Sequence, residues 1–308
     1  MQYVLARDIA EKWGVSSSLI RRLCRQGRIS GAVCKDGVWR IPEDAVRSMR
    51  TVFKHTEEEV LPELAKTLRK QKKKKNFHGL YDYVVIDLTY SSCRMASNRL
   101  TRYQIEEVYR TGKVSTAFEP MKIDDIYEID NHFRACTYVI DNLLEPLHTA
   151  HLRKLHSLLF YGTEADRNGT MRTGEFRASP HKYGLPPEQI SKELGVLIKE
   201  YEAKKKVQLN DILDFHVRFE RIHPFEDGNG RLGRLLMFKE CLRHEITPFI
   251  LDDKRRTEYL KGIREWDMDK STLFTPCLEA QARFQAQIDL QKLQEYAQRY
   301  KPADYKED

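Results

Sequence analysis

The chain has 308 residues, of which 41% are apolar and 32% are charged, with 53 lysines and arginines against 46 aspartates and glutamates. This length and apolar content fit about two folded domains and exclude a chain that is disordered throughout. The charge is unevenly distributed, because residues 1–80 hold 18 basic and 9 acidic residues and residues 81–308 hold 35 and 37. A basic head suggests a module for nucleic acid or another acidic partner, although a lysine-rich linker that only aids solubility is the alternative.

The sequence also bears on the cellular compartment of the protein. Six cysteines, at positions 24, 34, 93, 136, 241 and 277, lack the paired spacing of a structural zinc site, so we expect reduced thiols. The first residues do not form a basic segment followed by an apolar one, and no apolar run approaches the roughly 18 residues of a membrane span. We therefore expect a cytoplasmic protein that has no membrane partner.

The first 52 residues contain two helical patterns and a strand pair. Residues 6–13 and a basic segment over residues 16–26 place apolar side chains at helical spacing, and a glycine follows each segment. Residues 32–34 and 38–41 are predicted strands, and the Asp-Gly step between them favours a tight hairpin. Residues 42–45 resemble the first turn of another helix, because proline and acidic residues are favoured there.

This order of elements resembles the excisionase/MerR-like winged helix-turn-helix family over about residues 3–50. The resemblance implies that the second helix enters the major groove of DNA, where arginines on its outer face reach phosphates and base edges. A platform for protein interaction or dimerisation is the alternative. The residues expected to face DNA are Ser17, Ser18, Arg21, Arg22 and Arg25.

Residues 53–80 are predicted to connect this region to the rest of the chain. Apolar residues between 56 and 70 have helical spacing, and a run of lysines from Lys70 to Lys75 follows. Because like charges repel each other and stay solvated, we predict a linker at about residues 70–80.

From residue 81 to residue 300 the pattern is mostly helical, so the predicted fold class is mainly α. The histidines of the segment "HTAHLRKLHSLLF" lie among leucines at helical spacing, and we interpret them as core or surface residues rather than metal ligands. Residues 301–308 form a polar tail. The predicted helices cover residues 101–111, 123–144, 147–161, 186–204, 207–222, 231–244, 254–266 and 271–298.

Residues 223–234, "HPFEDGNGRLGR", lie between two helical patterns and form a polar loop that leads into a helix. Gly228 and Gly230 allow the backbone to approach a ligand, and the free N–H groups at a helix start bind anions, above all phosphate. Arg231 and Arg234 are three residues apart, so both can reach one anion from the first turn.

Two further side chains of this loop add chemistry. Asp227 is a hard oxygen ligand that suits Mg²⁺ held jointly with phosphate oxygens. His223 can accept a proton near neutral pH. Base, metal ligand and anion site together indicate phosphoryl or nucleotidyl transfer.

The same segment matches the signature H-x-F-x-[DE]-G-N-G-R-x-x-R of the Fic family without a mismatch, and the resemblance spans about residues 81–290. It implies a helical core with a short β-hairpin flap and a protein AMP-transferase that uses ATP and Mg²⁺ or Mn²⁺. His223 would deprotonate a target serine, threonine or tyrosine, and Asp227 would hold the metal ion. The phosphates would be bound by Gly228, Asn229, Gly230, Arg231 and Arg234.

Two other segments resemble family features. Gly174, Glu175, Phe176 and Arg177, with Ala178 and Ser179, resemble the flap that holds the target by strand pairing, although an ordinary surface loop is the alternative. Near the base of the nucleotide, the resemblance suggests Tyr259, Leu260 and Asp267.

A third segment departs from the family pattern. Many relatives carry an inhibitory helix with the motif [ST]-x-x-x-E-[GN], whose glutamate pairs with the second arginine of the signature. Aligning Ser92 and Asn98 with that motif puts Ala96 at the glutamate position and Ser97 at the next one. Alanine cannot pair with Arg234, so we predict that Arg234 stays free for ATP and that the enzyme is not inhibited in this way. A divergent motif that serves only packing is the alternative.

The sequence thus favours a protein AMP-transferase that acts on a protein target, with the chain itself as one candidate. In place of the lysine of Doc-related phosphotransferases the chain has Gly230, which favours AMP transfer, while UMP and phosphocholine transfer stay open. The alternative is a DNA-binding regulator or toxin-like module whose Fic domain senses nucleotide. A homo-oligomer is also left open.

Overall fold

The structure, a computed structural model, describes residues 3–12, 17–25, 29, 31–35, 37–43, 61–74, 78–114, 122–167 and 184–299. The chain divides into two units, residues 1–61 and residues 62–308.

The first unit combines two helices with a three-stranded antiparallel sheet. Its elements are β1 (Tyr3–Leu5), α1 (Ala6–Lys12), α2 (Ser17–Arg25), β2 (Val33–Lys35) and β3 (Val38–Pro42). Strand β3 is central and pairs Val4 with Ile41 on one side and Cys34 with Trp39 on the other. Its core consists of Ala6, Ile9, Ala10, Ile20, Cys24, Ile29 and Ile41.

Two features of this unit differ from the sequence prediction. Strand β1 is too short to show an alternating pattern, so the sequence did not indicate it. Pro42, predicted at a helix start, is the last residue of β3 and lies opposite Tyr3. The fixed φ of proline suits a strand end as well as a first helical turn, so the residue type alone does not decide between them. The rest of that predicted turn, from Asp44, lies outside the described residues.

Helix α2 presents different residues to the core and to solvent. Ile20 and Cys24 are buried, Ser18 and Arg21 are exposed, and Ser17 is half-buried. The side chains of Arg22 and Arg25 lie outside the described part of the chain.

The second unit is helical, as predicted. Four pairs of helices make its main contacts: α4 with α6, α6 with α7, α10 with α11, and α12 with α13. A short 3₁₀ helix, Asp253–Arg255, precedes α12. The helices are α3 (Glu63–Lys74), α4 (Leu80–Met95), α5 (Arg102–Thr111), α6 (Ile123–Asp141), α7 (Thr149–Phe160), α8 (Glu164–Arg167), α9 (Pro187–Glu202), α10 (Leu209–Ile222), α11 (Asn229–Arg243), α12 (Arg256–Glu265) and α13 (Ser271–Arg299).

The predicted linker begins too early, because residues 70–74 belong to helix α3 of the second unit. Leu68 and Gln71 are buried, and the Oε1 of Gln71 accepts a hydrogen bond from the backbone N–H of Tyr81 at 2.9 Å. Lys72 pairs with Asp141 at 2.5 Å. Basic residues favour the last turn of a helix, so these lysines extend α3 while their charges stay at the surface.

Among the described residues, no helix has both the length and the apolar character that crossing a membrane requires.

Candidate active site

The loop between α10 and α11 is held in place by its own side chains. Asn229 is buried, and its Oδ1 accepts from the backbone N–H of Phe225 at 3.0 Å while its Nδ2 donates to the carbonyl of Phe225 at 2.7 Å. The Phe225 ring stacks on His156 with centroids 4.0 Å apart, and His156 Nε2 lies 3.1 Å from the carbonyl oxygen of Asp227. The Asn229 side chain thus serves to fix the loop.

Gly228 has to be a glycine at this place. Its φ of 80° lies in the left-handed region, and a Cβ there would lie 2.4 Å from Cε2 of Phe160. The absent side chain lets the loop pass close to Phe160 and begin α11 with unbonded N–H groups of its first turn.

His223 ends α10 in a left-handed conformation, with φ of 50°. Its Nδ1 lies 3.3 Å from the carbonyl oxygen of Glu220, which only accepts, so Nδ1 carries the proton and Nε2 is left to act as a base. The ring is half-buried, and burial lowers the pKa of His223, partly offset by the Glu220 carbonyl and by Asp227. The imidazole is therefore neutral near pH 7.

The segment before α9 packs closely on His223. The backbone N–H of Leu185 donates to the carbonyl of Ile222 at 3.1 Å, and a Cβ at Gly184 would lie 2.5 Å from Cβ of His223. The predicted flap, Gly174 to Ser179, lies outside the described residues.

The side chain of Arg231 is buried between two carboxylates. Its Nη1 lies 3.3 Å from Glu128 and its Nη2 lies 3.4 Å from Asp227, and its guanidinium packs over the ring of Phe160 at 4.9 Å. Burial disfavours the charge of Arg231, but Glu128 and Asp227 outweigh it and raise its pKa. Only 3% of this side chain is exposed, so the main role of Arg231 is to form ion pairs inside the protein.

Arg234 is also buried, but its hydrogen bonds go to neutral groups. Its Nε donates to the hydroxyl of Ser92 at 3.0 Å and its Nη2 to the carbonyl of Ser92 at 2.8 Å. The guanidinium lies 5.8 Å from the ring centre of Tyr259. The prediction that Arg234 stays free is therefore incomplete, because helix α4 already holds two of its donors.

The side chains at the start of α11 line a cavity of about 170 Å³. Asp227, Arg231 and Arg234 form part of its wall, and Arg256 and Tyr259 of α12 form another part. Asp227 is the most exposed of these charged groups of the loop, and its Oδ1 accepts from the N–H of Gly228 at 2.6 Å. The cavity thus combines guanidinium groups with the exposed carboxylate of Asp227.

The segment predicted to correspond to the inhibitory motif borders the same cavity. Ser92 is buried in α4, Ala96 caps that helix and lines the cavity, and Ser97 has a positive φ of 75°. Asn98 is buried and donates to the carbonyl of Asp125 at 2.9 Å. The position next to Ala96 thus has the backbone conformation that glycine and asparagine favour.

The residues suggested for the base side are separated in the structure. Tyr259 and Leu260 line the cavity, and the hydroxyl of Tyr259 lies 2.6 Å from Nε2 of His216. Asp267 is exposed and pairs with Arg221 at 2.7 Å, and it is not part of the cavity wall among the described residues.

Three residues of the site are not indicated by the sequence analysis. Glu220 lines the cavity, Glu128 pairs with Arg231, and Phe160 packs against Gly228. Arg256 also lines the cavity, and it lies three residues before Tyr259 in the segment suggested for the base side. A sequence signal exists for Glu220, because His216 and Glu220 put two polar groups on the apolar face of α10. Glu128 and Phe160 come from distant segments that only the fold brings together.

A second cluster of possible metal ligands lies at the start of α7. Donor atoms of Glu145, His148 and His151 lie within 4.8 Å of one another. His148 Nδ1 accepts from the N–H of His151 at 3.1 Å, and its Nε2 lies 3.1 Å from Glu145. Because both ring nitrogens of His148 are used in this way, we interpret the cluster as an N-terminal cap of α7.

Part of the chain is similar to a known protein family. Residues 146–241 match the model of the Fic/DOC family, a segment that runs from just before α7 into α11 and includes the whole loop. The protein adenylyltransferase Fic of Drosophila mojavensis is 26% identical over 213 residues, which cover 65% of this chain and 39% of that protein. The protein of the same name from Drosophila persimilis is 26% identical over 218 residues, covering 67% and 40%. The chain thus matches about two fifths of the length of these relatives.

Solved structures show the fold. A Fic domain containing signaling protein from Bacteroides thetaiotaomicron superposes with a TM-score of 0.59 at 18% identity, over 79% of this chain and 94% of that one. Fic-1 from C. elegans gives a TM-score of 0.57 at 16% identity, over 79% and 75%. The chain therefore has the fold of Fic-domain proteins and is homologous to proteins named as adenylyltransferases.

Proposed function

We propose that this protein transfers AMP from ATP to the hydroxyl group of a serine, threonine or tyrosine on a protein target, with the chain itself as one candidate target. One observation carries the proposal: a short loop held by its own hydrogen bonds has His223 at its beginning and the exposed Asp227 just before the helix that bears Arg234. The names of the relatives support the same reaction.

His223 acts on the attacking hydroxyl. Its Nε2 accepts the proton as the target oxygen bonds to the α-phosphorus of ATP, and pyrophosphate leaves with the electrons of the broken bond. The hydrogen bond from Nδ1 to the carbonyl of Glu220 keeps the ring in the correct tautomer and orientation. A lowered pKa keeps this base unprotonated near neutral pH.

Asp227 fits a magnesium ion, because its carboxylate is 65% exposed and lines the cavity together with arginines that bind phosphate. Asp227 would hold this ion, which would supply positive charge to stabilise the leaving pyrophosphate. The N–H groups at the start of α11 and the guanidinium of Arg234 bind the same phosphate chain.

No carboxylate opposes Arg234 from the end of α4, since Ala96 stands there. The two hydrogen bonds to Ser92 are to neutral groups, and phosphate oxygens compete with such groups more easily than with an ion pair. The enzyme is accordingly active without a separate activator.

The test is incubation with Mg²⁺ and ATP labelled at the α-phosphate, followed by mass spectrometry for a gain of one AMP. His223→Ala should lose at least about 100-fold in rate, whereas His78→Ala, which removes an exposed histidine, should keep the label. Equal labelling of the His223→Ala variant would contradict the proposal. UTP and CDP-choline in place of ATP distinguish transfer of UMP or phosphocholine.

We propose as a second function that the first unit binds DNA through α2. Arg21 and Ser18 are exposed on this helix while Ile20 and Cys24 face the core, so a polar face is available to the DNA backbone. DNA retention should fall steeply with salt and be lost in the double variant Arg21→Ala/Arg22→Ala, but not in Arg7→Ala on α1. Retention by the double variant would favour a protein-interaction role.

A further inference from the structure

Glu220 is a carboxyl group in the cavity wall that the proposed reaction does not use. It lies in the last turn of α10, three residues before His223, and lines the same cavity as Arg234. Its Oε1 is shielded from solvent and has no hydrogen-bond partner among the described residues. A buried polar atom without a partner is costly, and the cost is larger for a charged carboxylate than for the neutral acid.

The neighbouring helix leaves room for this carboxyl group. A Cβ at Gly233 of α11 would lie 3.1 Å from Oε1 of Glu220 and 2.6 Å from the ring of His216. Glycine in a helix interior costs about 1 kcal/mol relative to alanine, and here it allows α10 and α11 to approach with two polar side chains between them. The position of Glu220 is thus fixed by the packing of the two helices.

The titratable and charged groups around Glu220 come from three helices and the loop. Arg234 and Arg231 lie on α11, Tyr259 and Arg256 on α12, His216 on α10 itself and Asp227 in the loop, whereas Met95 and Ala96 on the α4 side carry no charge. Burial lowers the pKa of His216 to about 3, so its ring is neutral. Burial raises the pKa of Glu220 to about 7, and Arg234 offsets this in part.

We propose that Glu220 binds the phosphate chain of a magnesium nucleotide as a neutral carboxylic acid, which donates its O–H to a phosphate oxygen. This inference rests on the proposed function, since it requires phosphates in the cavity. The carboxylate takes one proton from the solvent when the nucleotide enters, and no bond of the nucleotide breaks.

The neutral acid is favoured beside a phosphate because both the carboxylate and the phosphate carry negative charge. A carboxylate beside a phosphate repels it, and a nearby like charge raises the pKa of a carboxyl group further. The neutral acid instead has one O–H donor, which the carboxylate lacks. Protonation therefore turns an unfavourable contact into a hydrogen bond.

The experiment is calorimetric titration of the full chain with α,β-methylene-ATP and Mg²⁺, because this analogue cannot transfer AMP. Binding heats in two buffers of different ionisation enthalpy give the number of protons taken up. At pH 7.5 we expect the unmodified chain to take up about half a proton or more, and Glu220→Gln to take up about that much less. Glu200→Gln, which changes an exposed glutamate of α9, should behave like the unmodified chain.

Equal uptake by the unmodified chain and Glu220→Gln would overturn the inference. Proton release that depends on Glu220 would also overturn it, because the carboxylate would then face the magnesium ion. Absence of nucleotide binding in the unmodified chain would instead refute the proposed function.

A second measurement does not depend on the folding of any variant. In the unmodified chain, affinity for the magnesium analogue should fall about tenfold between pH 7 and pH 8.5, because the ionised acid must first be protonated. A constant affinity over this range would contradict the inference.

Discussion

Arg231 and Arg234 stand three residues apart on α11, but their side chains have different partners. We call Arg231 with Glu128 and Asp227 the Arg231 side, and Arg234 with Ser92 the Arg234 side. Arg231 lies between the carboxylates of Glu128 and Asp227 and under the ring of Phe160. Arg234 donates to the hydroxyl and the carbonyl of one serine, Ser92. The charge of the first arginine is compensated within the protein, whereas the second is hydrogen-bonded without a carboxylate in that contact.

This difference assigns the two arginines different main tasks. An arginine that neutralises a part-buried carboxylate supports the fold, because removal of either partner leaves an unpaired charge. An arginine bonded to neutral oxygens can exchange them for phosphate oxygens, which form stronger, charge-assisted hydrogen bonds. We therefore expect Arg231 to matter most for stability and Arg234 most for nucleotide binding.

The largest expected effect is on the Arg231 side. Arg231→Met should lower the free energy of unfolding by about 3–5 kcal/mol, because it leaves Glu128 without its cationic partner. Arg234→Met should cost about 1–2 kcal/mol, since the hydrogen bonds and the ring contact that it removes are with the neutral groups of Ser92 and Tyr259. Urea unfolding of both variants measures the two losses of stability. Equal losses would contradict the view that Arg231 supports the fold more than Arg234 does.

The second prediction concerns the carboxyl groups on the two sides. The pKa of Glu220 in the folded protein is raised to about 7, above its value of about 4.3 in an unfolded chain, because of burial. The folded state therefore binds more protons between these values, and the stability that this proton uptake gives is lost as pH rises from about 4 to about 7.

Glu220→Gln removes this pH dependence. Between pH 4.5 and pH 8 the free energy of unfolding of this variant should rise by about 2 kcal/mol relative to that of the unmodified chain. This value is smaller than the full pKa difference implies, because solvent in the cavity screens the carboxyl group. Glu128→Gln should instead be destabilised at pH 8, because Arg231 loses a charged partner. Thermal unfolding as a function of pH checks both, and the same pH trend in both variants would contradict the comparison.

The third prediction concerns a variant that gives Arg234 a carboxylate partner, as Arg231 already has. Ala96→Glu puts a carboxylate at a position that borders the same cavity as Arg234. An ion pair there must be broken before phosphate can bind, so we expect AMP transfer to fall about tenfold or more, which corresponds to at least about 1.4 kcal/mol. Ala96→Gln, of the same size and without charge, is the control. Unchanged transfer by Ala96→Glu would end the hypothesis that position 96 controls Arg234.

Sequence patterns predicted the helices that flank the loop, because their apolar residues repeat with helical spacing on one face. Helix α4, Leu80–Met95, has buried residues on nearly all sides and leaves no periodic contrast, so only the resemblance to the inhibitory helix indicated a helix near Ser92. The loop was recognisable because its glycines and charged residues are close together in the chain. The partner of Arg231 was not, because Glu128 lies about 100 residues away and meets it only in the fold. Only the family resemblance placed the segment of Ser92 beside Arg234.

The smallest expected effect comes from a variant that changes the backbone preference at the end of α4 without adding a charge. Ser97 has a φ of 75°, a conformation that costs a residue with a Cβ more than it costs glycine. Ser97→Gly should therefore raise the free energy of unfolding by about 0.5–1 kcal/mol, less the extra chain entropy that glycine gains when unfolded. Because position 97 adds no charge near Arg234, AMP transfer should stay the same. A loss of transfer comparable to that of Ala96→Glu would mean that the backbone at the end of α4, rather than a carboxylate, sets the state of Arg234.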